Sequence, residues 1–300
     1  MTLHDHVGAG VSAPPPSDSE FVQFWNEVLA PKFTRFRHVL VGGLTYHSEA
    51  VFPNLPVRAG ARVLDVGCGW GDTAIKLARI VGPEGEVVGI DCCDAFLADA
   101  EADRAQTGLT NLRFMRGDAE VALPEGAFDF VFSRFGTMFF ANPVAGLRNM
   151  RRALRPGGRM VHIVWRDPVD NPWLSMAKDI VLEYLPAPGA DARTCGPGPF
   201  SMSDEPTVRK MMEIAGYTDI TFERVDAPVR VGDDVEDAIA FQLAIGPAGE
   251  VFREAGDLAE EKRPEIEAAL AAAIDAQVRD ADGIVIDSSS WVISARNPGD

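Results

Sequence analysis

The run Asp65-Val-Gly-Cys-Gly-Trp-Gly-Asp-Thr73 places Asp65, Gly67, Cys68, Gly69, Gly71 and Thr73 directly after the apolar residues Val63 and Leu64. Glycines in such a turn permit backbone angles that a Cβ forbids, and they let a ligand lie against the main chain. Behind them Ala74, Ile75, Leu77, Ala78 and Val81 recur at helical spacing, so the unit reads as strand, glycine turn, helix. A helix opening at Asp72 and Thr73 aims free N–H groups over the turn, which favours a carboxylate or a phosphate. A dinucleotide fingerprint requires glycine where Asp72 stands, and a pyrophosphate there would meet a like charge. The spacing therefore points away from nicotinamide dinucleotides and toward a ligand carrying both an amine and a carboxylate.

Further candidates lie downstream. Asp91, 24 positions after Gly67 and next to Cys92, ends the run Val87, Val88, Ile90. A carboxylate at that strand tip can accept both hydroxyls of a ribose; Asp94 is the better placed of the two for capping the next helix. A base or an anion anchor would come from His38, His47 or Arg134, whereas His162, in mid-strand, reads as a satisfied core histidine. Tyr46, Phe135, Met138, Phe139, Trp165 and Trp173 stand near or beyond strand ends and suit an acceptor pocket, where aromatic faces favour a cation. No Cys-x-x-Cys pair suggests zinc, and no metal is expected.

These residues need elements to hold them. The pattern predicts amphipathic helices over 19–52 broken at Gly42 and Gly43, strands near 62–66, 86–91, 112–115, 128–132 and 159–165, and helices between them. After 165 it predicts helices near 173–184 and 207–215, a strand at 218–225, two acidic helices near 235–255 and 263–279, and a closing antiparallel edge strand at 284–295. Alternating strands and helices with short links predict a doubly wound, mostly parallel α/β sheet of seven strands, with an N-terminal helical cap and helical insertions after strands five and six. The corresponding divisions are a disordered leader at 1–18, the cap at 19–56, a cofactor-binding core at 57–166, and a lid, acidic insert and closing strands at 167–300.

Val-Leu-Asp-Val-Gly-Cys-Gly-Trp-Gly resembles the first motif of class I S-adenosylmethionine-dependent methyltransferases, and later stretches match that family's motifs in order. The resemblance covers 61–165 and implies a Rossmann-like fold, S-adenosyl-L-methionine as cofactor and a transferase activity. It places Gly67, Gly69 and Gly71 against the cofactor, Asp91 on its ribose, Asp118 and Ala119 at its adenine, and the Ser133 backbone at its methionine end. The closest look is to small-molecule branches that include quinone-biosynthesis enzymes, from which the acidic insert after Val225 departs. O- or C-methylation of a small, fairly apolar acceptor is the favoured expectation; a non-catalytic cofactor-binding or scaffold protein is the alternative.

Composition sets the remaining bounds. A formal charge of −17, from 45 acidic and 28 basic residues, disfavours a phosphate backbone, so no nucleic acid partner is expected. No stretch of about 18 apolar residues suggests a membrane span. Cys68, Cys92, Cys93 and Cys195 do not make a disulfide framework, and a reducing cytoplasm is the simplest home. Aromatics on the N-terminal helices suit a homodimer contact.

Overall fold

The computed structural model describes residues 19–189, 192, 196–280 and 283–299; the expected leader at 1–18 and Cys195 lie outside the described residues. The strands are β1 (Arg62–Val66), β2 (Glu86–Asp91), β3 (Leu112–Arg116), β4 (Phe128–Arg134), β5 (Leu154–Trp165), β6 (Thr218–Gly232), β7 (Val278–Asp280) and β8 (Gly283–Arg296). They form one sheet in the order β3-β2-β1-β4-β5-β8-β6, with β7 paired to β8. β1 to β5 run parallel, and β8 is antiparallel to both β5 and β6. The strand order reverses between β1 and β4, and ligands of doubly wound sheets bind at that switch point, outside the strands' carboxyl ends.

Two expectations about the sheet need correcting. It has eight strands, because residues 278–280, read as the end of the last helix, form β7. β8 is not an edge: β6 pairs along its outer side from Thr218 to Gly232. β8 is buried along most of its length, while the first half of β6 alternates between exposed and half-buried positions as an edge strand does.

The helices are α1 (Glu20–Phe24), α2 (Ala30–Arg35), α3 (Arg37–Val51), α4 (Asp72–Val81), α5 (Asp94–Thr107), α6 (Pro143–Ala153), α7 (Pro172–Leu182), α8 (Glu205–Ala215), α9 (Val235–Ala244), α10 (Gly246–Ala255) and α11 (Asp257–Asp275), with a π-helical turn at Trp25–Leu29 joining α1 to α2. The acidic insert is thus three helices, parted at Gly246, whose φ is +78°, and at Gly256, whose φ is +55°. The cap is pinned to the tip of β2 by Asn26, whose amide donates to the Cys92 carbonyl at 3.0 Å and accepts from the Asp94 N–H at 3.1 Å. Its aromatics turn inward: Phe24, Trp25 and Phe36 are buried, which removes the ground on which a homodimer was expected.

α3 passes through Gly42 and Gly43 without a break. A Cβ on Gly43 would collide with the backbone carbonyl of Arg230 on β6, so the glycine serves close helix-to-strand approach and local propensity is overridden. Gly43→Ala is expected to cost about 1–3 kcal/mol by overpacking, read as a lower urea midpoint. Gly42→Ala, whose Cβ would meet only the guanidinium of Arg230 at 2.9 Å, is expected to cost less. Equal losses would contradict this assignment.

Candidate active site

A cavity of about 180 Å3 opens where the carboxyl ends of β1, β2 and β4 meet the cap. Its floor is the glycine turn, where Gly67, Gly69 and Gly71 have φ of +67°, +53° and +78°. The turn is fastened from β2: the Gly67 and Cys68 N–H groups donate to the Ile90 carbonyl at 2.8 and 3.1 Å. The Asp91 carboxylate accepts from the Gly69 and Cys93 N–H groups, each at 2.9 Å. Burial pushes the Asp91 carboxyl above its ordinary range, and these N–H donors act against that.

Of the residues expected to hold a cofactor, Gly67, Cys68, Gly69, Thr73, Asp91, Cys92, Asp118 and Ala119 line this cavity. Three do not. Gly71 stands behind the turn, where a Cβ would run into the Phe114 ring, and it opens α4 as a left-handed cap. Ser133 is fully buried and its hydroxyl has no partner, while its neighbours Arg134, Phe135 and Gly136 reach the cavity. Asp65 lies beneath the floor: its Oδ2 accepts from the Thr73 hydroxyl at 2.6 Å, and its buried Oδ1 has no partner among the described residues. Burial raises the Asp65 pKa to about 7, against the lowering effect of Thr73. Asp72 also lines the cavity, and both its oxygens accept from Arg134 Nη2, at 2.9 and 2.8 Å. The first turn of α4 therefore carries its own carboxylate and a matching guanidinium, which also donates to Ser48 Oγ at 2.8 Å.

A second cavity of about 110 Å3 adjoins the first, and Phe33, Leu44, Phe135 and Phe139 line both. It gathers Phe135, Met138, Phe139, Trp165 and Trp173 around one space. Phe135, the wall between the cavities, has a φ of +55°, a left-handed conformation that costs a non-glycine residue on the order of 1–3 kcal/mol. Its ring stacks on Trp165 with centroids 3.8 Å apart, and Trp165 meets Trp173 edge-on at 5.0 Å. Strain of this kind persists where packing over-determines it, here at the partition between two cavities.

The histidines fall elsewhere. His38 is exposed, 3.1 Å from Asp237, and lines neither cavity; nor does Tyr46. His47 is buried behind Phe135 and Trp165, with its ring nitrogens 2.9 and 2.7 Å from the hydroxyls of Ser290 and Ser288. His162 is only half satisfied: Nδ1 meets Thr137 Oγ1 at 2.9 Å, and Nε2 has no partner. Residues not singled out by sequence also take part. Phe21 and Trp25, on the apolar stripe of the N-terminal cap, cover the first cavity, and Gly136, a glycine just past a strand end, carried a readable signal.

The buried groups give the fold a defined response to acid. Burial lowers the pKa of His47 to about 4, with Arg134 adding to the effect, and that of His162 to about 3. Below the ordinary histidine value of 6.5 the unfolded chain takes up both protons while the native state does not, so stability falls with pH. Asp65 acts oppositely between 3.8 and about 7, where only the native state keeps its proton. Two histidine protons outweigh the one at Asp65, so stability should fall by on the order of 1 kcal/mol per pH unit between pH 6 and 4.5, a slope that the raised Asp91 carboxyl lessens. Urea midpoints measured across that range check it: Asp65→Asn should steepen the slope, and a flat profile would contradict the assignment.

A glycine turn at the switch point with a strand-tip carboxylate beside it is the arrangement of an α/β protein that binds a nucleotide-type cofactor, and an aromatic cavity adjoins it. Comparison with known proteins narrows this class. A family profile described as a methyltransferase domain matches residues 58–180. A ubiquinone/menaquinone biosynthesis C-methyltransferase of Pseudomonas putida is 33% identical over 214 residues, covering 67% of this chain and 82% of the relative. The solved structure of a Haemonchus contortus phosphoethanolamine N-methyltransferase with S-adenosylhomocysteine covers 94% of this chain and 61% of its own, at 15% identity and a TM-score of 0.57. The YcgJ protein of Bacillus subtilis matches at 18% identity and a TM-score of 0.52, over 84% of this chain and 98% of its own. The chain belongs to the class I S-adenosylmethionine-dependent methyltransferase family. It is an enzyme of that class, and S-adenosyl-L-methionine is its cofactor. The residues present fit that group: a Cβ on Gly69 would meet nothing within 4 Å, leaving the floor open, and Asp65 Oδ1 is an unpaired buried acceptor beneath it. Among the described residues no helix is long and apolar enough to cross a membrane.

Proposed function

We propose that this enzyme methylates a small, fairly apolar acceptor seated in the second cavity, at carbon or oxygen. The observation that carries the reading is the shared boundary: Phe135 and Phe139 line both cavities, so the acceptor space adjoins the cofactor space at those two rings. When bound, the cofactor supplies an electrophilic methyl group on a sulfonium. Asp91 would take the ribose hydroxyls, Asp118 and Ala119 the adenine, and Arg134 the carboxylate of the amino-acid end, with Asp65 holding Thr73 beneath the floor. Phe135 and Phe139 would orient the acceptor and exclude water, so positioning supplies much of the acceleration.

The lining also bears on the nucleophile. No histidine lines the second cavity among the described residues, and both nitrogens of His47 are engaged by serines. An acceptor that needs little help with its proton, such as an electron-rich aromatic carbon or an acidic phenol, suits such walls. The likeness to quinone-biosynthesis C-methyltransferases supports ring carbon in particular. The test is incubation with S-adenosylmethionine and a panel of phenols, quinols, thiols and amines, with mass detection of methylated product and S-adenosylhomocysteine. Turnover confined to phenols or quinols supports the reading, and turnover confined to amines or thiols overturns it.

A further inference from the structure

The second cavity is apolar except at one end, where Lys32, Glu250 and Arg253 line it. Lys32, on α2, is half-buried, and its ammonium makes no hydrogen bond or ion pair among the described residues. Arg253 is already engaged: its Nη1 lies 2.5 Å from Glu254 Oε1, and its guanidinium stands 5.6 Å from the Phe24 ring centroid. Burial first, then repulsion from Arg253, lowers the Lys32 pKa, and the opposing pull of Glu250 is the smaller effect. An ammonium in an apolar cavity is costly unless something of opposite charge meets it. The chain as a whole carries −17, and Glu254 already engages Arg253, so among the described residues the Lys32 ammonium is the cation this cavity leaves without an ion pair.

We propose that the acceptor is an apolar acid, an aromatic or fused-ring molecule with one carboxylate or sulfonate, which rests that group on Lys32 and turns its ring toward Phe135. This rests on the reading of the second cavity as the acceptor site. The anion relieves the Lys32–Arg253 repulsion, and its charge-assisted hydrogen bond to the ammonium fixes which end of the acceptor faces the cofactor. Lys32 is a specificity-determining residue and does not touch the reacting atoms.

The test is a fluorescence titration of the whole protein, saturated with S-adenosylhomocysteine, using 1-anilinonaphthalene-8-sulfonate and its uncharged parent N-phenyl-1-naphthylamine. The two probes share an aromatic body and differ in the sulfonate. The sulfonate should bind at least about tenfold tighter than the parent, the range of one hydrogen bond to a charged group. Lys32→Met should abolish that preference with parent binding unchanged, Lys32→Arg should retain it, and Lys210→Met, on exposed α8 surface, should leave both titrations as they are. An unchanged preference in Lys32→Met, equal losses for both probes, or binding of neither probe overturns the proposal. Methyl transfer is scored separately, on matched aryl acids and their methyl esters. Lost charge selectivity with continued turnover sinks this inference alone, whereas intact selectivity without turnover on any acceptor sinks the underlying reading of the cavity.

Discussion

Replacing Asp91 with alanine should weaken S-adenosylmethionine binding by at least about a hundredfold, roughly 3 kcal/mol, in isothermal titration calorimetry. The effect has two sources. The proposed ribose contact is lost with the Asp91 carboxylate, and the Gly69 and Cys93 N–H groups, now held at 2.9 Å each, lose their acceptor. The second loss loosens the floor on which the cofactor rests, so the truncation costs more than one ligand contact. Asp91→Asn separates the two sources. The amide keeps one acceptor for an N–H but turns a donor toward the other, so its binding should fall between wild type and Asp91→Ala. A loss of less than about fivefold in Asp91→Ala would mean that the ribose is held elsewhere.

Arg134→Met should destabilise the fold by about 3 kcal/mol in urea unfolding, because it leaves the poorly solvated Asp72 carboxylate at the start of α4 without its guanidinium partner. The pair is poorly solvated, with side-chain exposures of 9% for Arg134 and 20% for Asp72, and the arginine also holds Ser48 of α3. The double variant Arg134→Met, Asp72→Asn should recover part of the loss, since no unpaired charge then remains. Strictly additive losses would show that the pair does not act as a unit. The same substitution should raise the His47 pKa, because Arg134 is the second cause of its depression.

How much of this was legible in the sequence depended on whether the signal was local. β1, β2 and β4 are short apolar runs buried on both faces, and the motif Gly67, Gly69, Gly71 follows one of them directly. Asp91 was readable as a carboxylate at a strand tip beside the glycine turn and Asp118 only through the family resemblance, and both line the first cavity. What failed was long-range. Gly42 and Gly43 look like a helix break until the close approach of Arg230 is known, and β8 looks like an edge until β6 is placed outside it. The histidines were the weakest candidates: His38 points to Asp237, and His47 is spent on Ser288 and Ser290, contacts more than 190 positions away in the chain. The second cavity has the same character. One side is Leu40 and Leu44 of α3, another is Trp165 and Trp173 around β5, and a third is the segment from Ala244 to Arg253 of the acidic insert. No local pattern joins those three stretches, although each of the five aromatic and methionine candidates after strand four reaches the cavity.

The shared wall between the cavities is the feature on which the functional reading depends. A crystal structure with S-adenosylhomocysteine tests it most directly. The expected result is ribose density on the Asp91 carboxylate, adenine beside Asp118, and the sulfur turned toward Phe135 and the second cavity. Cofactor bound in the first cavity with its sulfur facing away from Phe135 would contradict the account, since an acceptor in the second cavity would then lie out of reach of the methyl group.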